Sequence, residues 1–169
     1  MEEPLFTDIV TWEGQTYEMG WFDEVNSKLL DDLQQVYGFL FTSEGKLCLV
    51  RPTEKRGWRL PGGGPEKEDQ DWKDTIIREA KEEADIILDK SSLKIAGIIK
   101  NTPKSEDCER GTGYSLRVVG KIISINKQTE DVAEGLINER VFIDPKEFSD
   151  YCSWGEFGES QLKKALNKR

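Results

Sequence analysis

The sequence of 169 residues contains no histidine. This absence excludes Ser-His-Asp triads, histidine zinc ligands and a histidine general base. Cysteine is scarce: Cys48, Cys108 and Cys152 are an odd number without close spacing, so they form neither a disulfide framework nor a Cys-x-x-Cys zinc site. We therefore expect unpaired thiols in a reducing compartment.

Long apolar runs are missing as well. No stretch approaches the length of a membrane span, and the N-terminus lacks a basic segment followed by an apolar core. These features predict a cytoplasmic protein that does not engage a membrane.

Basic residues are outnumbered, with 24 Lys and Arg against 33 Asp and Glu and a net charge of −9. This balance disfavours long nucleic acids, whose phosphates need basic patches. It does not disfavour a nucleotide bridged by metal, because the metal reverses the local field.

The most informative stretch runs from Trp58 to Ile87. A short apolar strand end leads into three consecutive glycines, Gly62, Gly63 and Gly64. Glycines allow positive φ angles and let a ligand approach the main chain closely. In the acidic loop that follows, Asp69 or Asp71 is a natural N-cap for a helix.

The spacing of the acidic residues in this helix predicts a metal site. At about 100° per residue, Glu79, Glu82 and Glu83 fall on one face. Three carboxylates that close repel one another unless a cation lies between them, and such hard oxygen ligands suit Mg²⁺ or Mn²⁺. The adjoining arc is apolar and should pack on a core; it holds Ile76, Ala80, Ala84 and Ile87.

The helix alone also fits a simpler interpretation, an exposed surface helix with Arg78 and Glu82 as an i,i+4 pair. The glycine loop argues against this interpretation, because a plain surface helix needs no such loop before it.

At this point the residues resemble the Nudix hydrolases, whose signature reads Gly, five residues, Glu, seven residues, Arg-Glu, apolar, any, Glu-Glu, any, Gly, apolar. The Arg-Glu-Ala-Lys-Glu-Glu core from Arg78 to Glu83 is intact. If the signature starts at Gly64, two positions depart: Gln70 replaces the family's Glu, and Asp85 replaces its Gly.

A second register starts the signature at Gly63 and makes Asp69 the acidic residue. We slightly prefer it, because Pro61, Gly62, Gly63 and Glu66 then match the common Pro-Gly-Gly-x-x-Glu sequence. In the first register Gln70 would hydrogen-bond Arg78 without a charge.

Asp85 is the smaller departure. The family glycine ends the helix with a positive φ, and Asp visits that region more readily than most other residues.

The resemblance implies an α+β fold, a Nudix-type α/β/α sandwich with a mixed β-sheet and a catalytic loop-helix. It also implies a Mg²⁺- or Mn²⁺-dependent hydrolase that cleaves a pyrophosphate bond in a nucleoside diphosphate linked to another group. Nucleoside triphosphates, ADP-ribose-like compounds and nucleotide sugars stay open as substrates. The alternative is a Nudix-fold nucleotide-binding module with reduced or lost hydrolysis, which only Gln70 and Asp85 support.

The resemblance also assigns roles to residues. Glu79, Glu82 and Glu83 become metal ligands, Gly63 or Gly64 supplies a backbone carbonyl, Glu66 has a supporting metal role, and Arg78 holds the carboxylates in position. Candidates for the general base are Glu82 and the loop acids Glu106, Glu109, Glu130 and Glu134.

Base and phosphate recognition is open. Aromatic candidates are Trp58, Tyr114, Phe142, Trp154 and Phe157, although core packing is the better expectation for each. Arg51, Arg56 and Arg59 flank the glycines and could meet phosphates, although a surface charge is the better expectation for each.

The chain reads as one domain over 1–169. Residues 1–35 form an N-terminal extension, either an added hairpin or a dimer-forming arm, which leaves a homodimer open. Residues 157–169 form a C-terminal amphipathic helix, whose apolar side uses Leu162, Ala165 and Leu166. Strands are predicted over 36–42, 46–51, 93–100, 114–125 and 139–144, with polar loops over 101–113 and 126–138.

Overall fold

The structure is a computed structural model that describes residues 3–12, 14–52, 56–105, 111–130 and 135–169. Its strands are β1 Phe6–Trp12, β2 Gln15–Phe22, β3 Leu33–Phe41, β4 Leu47–Arg51, β5 Gly62–Gly63, β6 Ile86–Leu88, β7 Lys94–Pro103, β8 Gly113–Ile125 and β9 Glu139–Ile143. Its α-helices are α1 Ser27–Asp31, α2 Trp72–Ala84, α3 Phe148–Tyr151 and α4 Gly155–Lys168. Cys108, Glu106, Glu109 and Glu134 lie outside the described residues.

The strands form a mixed sheet in the order β1-β2-β7-β8-β3-β4-β9, while β5 pairs with β3 and β6 with β8. The central pair, β3 and β8, is parallel, from Leu33 opposite Tyr114 to Phe41 opposite Lys121. The other pairings are antiparallel. The predicted mixed β-sheet is thus confirmed.

Alternate residues of the central strands pack into two separate hydrophobic cores, one on each face of the sheet. Val36 and Leu40 of β3 pack with Ile76 and Ala80 of α2 on one face. Phe39 lies on the opposite face, in the core that also holds buried side chains of α3 and α4. Because a strand points successive side chains to opposite faces, this alternation places helices on both sides of the sheet. The predicted α/β/α sandwich is confirmed.

The N-terminal hairpin belongs to the main sheet. β1 pairs with β2 from Phe6 opposite Trp21 to Trp12 opposite Gln15. β2 then pairs with β7. This pairing carries β7 as far as Pro103, so the loop predicted from residue 101 begins later than expected. The partner strand satisfies backbone groups that the polar sequence alone left unassigned. A homodimer through this segment stays a prediction.

Two apolar residues do not lie where the helical periodicity placed them. α2 ends at Ala84, so Ile87 lies in the short strand β6, where it is 44% exposed. In α4, Leu162 and Ala165 are buried as predicted, but Leu166 is 39% exposed. The core prediction was wrong for Ile87 and Leu166, in the first case because α2 ends three residues before Ile87.

Asp85 ends α2 as expected, with φ 48° and ψ 43° in the left-handed region. Its backbone N–H donates to the carbonyls of Ala80 and Lys81. Its carboxylate accepts from the backbone N–H of Thr129 at 2.6 Å. The departure from glycine is therefore tolerated locally, by an aspartate whose side chain gains a partner.

Cys48 and Cys152 are buried and unpaired with each other. Burial raises the pKa of each thiol to about 12, so both stay protonated at neutral pH. Across the described ranges, no helix has the length and apolar character that crossing a bilayer requires.

Candidate active site

The glycine loop lies against β3. Gly62 has φ 149° and pairs with Tyr37, and a Cβ atom at this position would collide with the backbone carbonyl of Val36. Only glycine fits both this φ angle and this close approach. The loop therefore returns tightly to the sheet before the chain enters α2.

Asp71 is the N-cap of α2. Its Oδ1 accepts hydrogen bonds from the backbone N–H groups of Lys73 at 2.8 Å and Asp74 at 3.2 Å. This cap frees Asp69, the other candidate, for a different role.

Asp69 binds Arg78 through both carboxylate oxygens. Arg78 Nε donates to Oδ1 at 3.2 Å, and Nη2 donates to Oδ2 at 3.0 Å. Gln70 uses its backbone N–H to bond Asp74. The contacts favour the register that starts at Gly63, with Asp69 as the acidic partner of the motif arginine.

Arg78 also gathers the other acidic groups of the motif. Its Nη1 lies 2.9 Å from Glu79 Oε1, 3.0 Å from Glu82 Oε2 and 3.5 Å from Glu66 Oε1. Its Nη2 donates to the carbonyl of Gly64 at 2.8 Å. One guanidinium thus links the glycine loop, the acidic loop and two glutamates of α2.

The electrostatics of this cluster follow from burial and pairing. Burial acts to raise the pKa of Asp69, but hydrogen bonds from Arg78 and the Glu66 N–H outweigh it and hold that pKa below its usual value. Burial acts to lower the pKa of Arg78, and its bonds to Asp69 and Glu79 raise it above the usual value instead. Both groups stay charged at neutral pH.

The pKa of Glu79 shifts in the other direction from that of Asp69, because burial outweighs its pairing with Arg78. A Cβ atom on Gly63 would collide with its carboxylate, so the carboxylate lies directly against the glycine backbone. Burial raises the pKa of Glu79 to about 7; Arg78 opposes the rise, and Glu83 and Glu82 add to it. Glu79 is an acidic group that lacks full charge compensation.

Glu83 of α2 is buried beside Gly62, the first glycine of the loop. Its Oε2 accepts from the Gly62 N–H at 2.8 Å, and its Oε1 forms an ion pair with Arg59. We expected Arg59 to be a surface charge, and this expectation was wrong, because Arg59 pairs with the buried Glu83. Its guanidinium holds one of the three motif glutamates.

No group of three or more His, Cys, Asp or Glu side chains in the described parts of the chain is arranged to hold a metal. The reason is visible in the contacts: Glu79 and Glu82 turn toward Arg78, while Glu83 turns toward Arg59. The donor set nevertheless fits a hard divalent cation, since it offers carboxylate oxygens beside the backbone of Gly63. The raised pKa of Glu79 points the same way, because a bound cation would supply the compensation that it lacks.

A cavity of about 590 Å³ opens beside this cluster, on the α4 side of the sheet. Its walls include Trp12, Tyr17, Tyr37, Arg59, Arg117 and Trp154. Arg59 joins the cavity to the cluster, because it lines the one and binds Glu83 in the other.

The other recognition candidates lie elsewhere. Trp154 alone among the five predicted aromatics lines the cavity. Phe157 is in the core on the α4 face and Trp58 packs against that core, whereas Tyr114 and Phe142 pack against the core under α2. Arg51 pairs with Glu139 and lies 4.9 Å from the centroid of the Trp58 ring. Arg56 and Glu130 are exposed.

Sequence reasoning missed Tyr37 and Arg117. Tyr37 reads as an ordinary aromatic of a β-strand. Arg117 carried a weak signal, a lone charge inside the otherwise uncharged run from Tyr114 to Gly120, which should be rare at a buried position.

The loop-helix with its acidic cluster, carried on a mixed α/β/α sheet, defines a Nudix-type hydrolase domain. A sequence model of the NUDIX domain matches residues 33–169. The chain therefore belongs to the Nudix family. The predicted family, fold class and enzyme class, a Nudix-type pyrophosphohydrolase, are confirmed at that level. Hydrolases of this family use a divalent metal ion.

Several solved structures share the fold. A pyrophosphohydrolase from Bacillus subtilis is 19% identical with a TM-score of 0.67, covering 89% of this chain and 91% of its own. An Ap4A hydrolase from C. elegans is 17% identical with a TM-score of 0.52, covering 80% and 96%. A UDP-X diphosphatase is 15% identical with a TM-score of 0.57, covering 85% and 72%. No curated protein sequence matches the chain.

Proposed function

We propose that this protein hydrolyses a pyrophosphate bond in a nucleoside diphosphate linked to another group, with Mg²⁺ or Mn²⁺ as cofactor. The observation that carries the proposal is the cluster around Arg78, in which one guanidinium draws Glu79, Glu82 and the Gly64 carbonyl together. The proteins with similar folds are named for different substrates. They therefore support cleavage of a pyrophosphate bond and leave the identity of the substrate open.

Glu79, Glu82 and Glu83 would hold the metal, with a backbone carbonyl of Gly63 or Gly64 and with Glu66 in support. When bound, a divalent cation neutralises the diphosphate and lowers the pKa of a coordinated water. Glu82 is the least enclosed of the three glutamates, with 34% of its side chain exposed against 13% for Glu79 and 7% for Glu83. It is therefore the one best placed to exchange Arg78 for a new partner and to accept a proton from water.

Arg78 and Asp69 act as a positioning pair. Asp69 fixes the guanidinium from one side, so that the guanidinium presents Nη1 to Glu79 and Glu82 on the other. Charge-assisted, two-point contacts of this kind fix orientation as well as distance. The pair keeps the two glutamates close together despite their mutual repulsion.

The test is release of phosphate or pyrophosphate from a nucleotide panel. The panel holds nucleoside triphosphates, 8-oxo-dGTP, ADP-ribose, NADH, dinucleoside polyphosphates and nucleotide sugars, each with Mg²⁺, with Mn²⁺ and with a chelator. Metal-dependent release from one class, lost in Glu82→Gln, would establish both the reaction and the substrate class. A folded protein that releases nothing from any compound would reject hydrolysis in favour of a nucleotide-binding module.

A further inference from the structure

Arg117 carries a buried guanidinium for which the described residues supply no acidic partner. The residue lies in the middle of β8 and is only 8% exposed. Its Nε donates to Gln161 Oε1 at 3.0 Å, and its Nη1 donates to Ser115 Oγ at 2.6 Å and to the Leu116 carbonyl at 3.4 Å. Its guanidinium carbon lies 4.9 Å from the centroid of the Tyr37 ring. Every one of these partners is neutral, and no described carboxylate forms an ion pair with Arg117.

Such a charge is costly unless something compensates it. Breaking or omitting one half of a buried ion pair leaves an uncompensated charge that destabilises the fold. Burial lowers the pKa of Arg117 to about 10, which still leaves it charged at neutral pH. The three neutral acceptors pair with Nε and Nη1, but they do not neutralise the charge of the guanidinium.

One end of the guanidinium remains available. Among the described residues, Nη2 has no hydrogen-bond acceptor, and it is not one of the fully enclosed polar atoms that lack a partner. Arg117 also lines the cavity of about 590 Å³. Its free donor therefore keeps access to the space in which a ligand would lie.

The cavity is positively charged in a chain of net charge −9. Arg59 and Arg117 are the charged side chains among its described lining residues, and Arg59 is already paired with Glu83. Asp8 lines a neighbouring cavity of about 440 Å³ together with Arg117, but its Oδ1 accepts from the Ile9 N–H and no ion pair joins it to Arg117. The excess charge of the cavity thus rests on Arg117.

Arg117 and the acidic cluster lie at two ends of one continuous path. Tyr37, under the guanidinium of Arg117, pairs in the sheet with Gly62, whose N–H binds Glu83. Arg59 lines the cavity and binds the same glutamate. A ligand held at the cluster by its diphosphate can therefore extend along Tyr37 toward Arg117.

We propose that Arg117 binds an additional phosphate of the substrate, a phosphate monoester on the nucleoside that enters the cavity, separate from the two phosphates of the cleaved bond. The identification of the ligand as a nucleotide rests on the proposed function. A phosphate meets both requirements of the site, because it neutralises the guanidinium and accepts its free N–H groups. Trp12 and Trp154 give the cavity apolar walls for the rest of the nucleoside.

The test compares nucleotides that differ by one phosphate. Binding of AMP, adenosine 2′,5′-bisphosphate and adenosine 3′,5′-bisphosphate is measured by calorimetry in chelator, so that the result does not depend on hydrolysis. The variants are Arg117→Gln, Arg117→Lys and, as a control, Arg56→Gln, which removes an exposed arginine outside the cavity.

We expect one bisphosphate to bind the wild type about ten- to a hundredfold more tightly than AMP. Arg117→Gln should reduce that ratio to near one, Arg117→Lys should retain part of it, and Arg56→Gln should leave it unchanged. If Arg117→Gln does not fold, the wild-type ratio and the lysine variant still decide.

Equal binding of AMP and both bisphosphates by the wild type would overturn the proposal, as would an unchanged ratio in Arg117→Gln. Binding of inorganic phosphate alone, lost in Arg117→Gln without any preference among the nucleotides, would assign Arg117 to a free anion and also overturn it. Failure of the proposed hydrolysis would be distinguishable. In that case no compound of the nucleotide panel would be turned over, while the wild type would still bind one bisphosphate more tightly than AMP.

Discussion

Arg78 holds both carboxylate oxygens of Asp69, with Nε 3.2 Å from Oδ1 and Nη2 3.0 Å from Oδ2. This two-point contact orients the guanidinium so that Nη1 faces Glu79 and Glu82. It favours Asp69, one position earlier than Gln70, as the acidic residue of the motif. We therefore interpret the apparent loss of an acidic residue from the motif as a shift of one residue in the loop.

Asp69→Asn should destabilise the protein by about 1 to 3 kcal/mol, because it weakens a charge-assisted pair that is largely buried. Gln70→Ala is the matched control and should change the free energy of unfolding by less than about 0.5 kcal/mol, since Gln70 contributes only its backbone N–H. Urea denaturation of both variants checks this. A larger loss of stability in Gln70→Ala than in Asp69→Asn would favour the register that starts at Gly64.

Arg78→Lys should reduce both stability and turnover, although it keeps the positive charge. A lysine ammonium cannot reproduce the planar set of contacts to Asp69, Glu79 and Glu82 at once. We expect a loss of about 2 to 4 kcal/mol, as for the disruption of a buried ionic network. Lys81→Arg, at an exposed position of the same helix, serves as control. Full activity in Arg78→Lys would contradict the positioning role.

Glu79→Gln should stabilise the metal-free protein at high pH. The native pKa of about 7 lies above the ordinary value of 4.5, so the native state binds more protons than the unfolded state between these values. The free energy of unfolding therefore falls as the pH rises through this window, and the penalty is complete above it.

Both proteins are measured in chelator. As the pH rises from about 5 to about 8, the free energy of unfolding of the variant should increase by about 1 to 3 kcal/mol relative to that of the wild type. Glu44→Gln, an exposed glutamate of the β3–β4 turn, should show no such gain. If the difference in the free energy of unfolding between Glu79→Gln and wild type is the same at about pH 5 and at about pH 8, Glu79 is not a buried carboxylate that lacks charge compensation.

Gly63→Ala and Gly64→Ala form a matched pair within the glycine loop. A Cβ at Gly63 would collide with the Glu79 carboxylate, whereas at Gly64 the nearest atom is the Gln34 carbonyl at 3.3 Å. We expect Gly63→Ala to lower kcat/KM at least about tenfold, since a displacement of about 1 Å at a reacting centre has large effects. Gly64→Ala should lose much less. Equal losses would show that the position of Glu79 against the glycine backbone is unimportant.

The sequence predicts the parts of this protein whose signals are local. The turn between the strands predicted over 36–42 and 46–51 and the helix end at Asp85 follow from turn and capping chemistry, whereas that chemistry left the N-cap open between Asp69 and Asp71. The acidic cluster follows because its members are three and four residues apart on one helix.

The remaining parts depend on contacts distant in sequence. Arg59 meets Glu83 across 24 residues, and Arg117 meets Gln161 across 44. No local pattern specifies such pairs, and an arginine in a strand or loop is usually exposed. Ile87 was misplaced for the opposite reason: the helical period was extended past a residue that ends the helix.

We propose that the glutamates of α2, with a bound divalent metal ion, carry out the hydrolysis. The most direct measurement is the initial rate of pyrophosphate-bond cleavage of the best panel substrate by wild type and Glu82→Gln, with Mg²⁺ and with chelator, beside Glu44→Gln. We predict that the wild type and Glu44→Gln cleave only with metal, and that Glu82→Gln loses at least about a hundredfold in kcat while its fold is retained. Cleavage by Glu82→Gln at the wild-type rate, or by the wild type in chelator, would contradict the account.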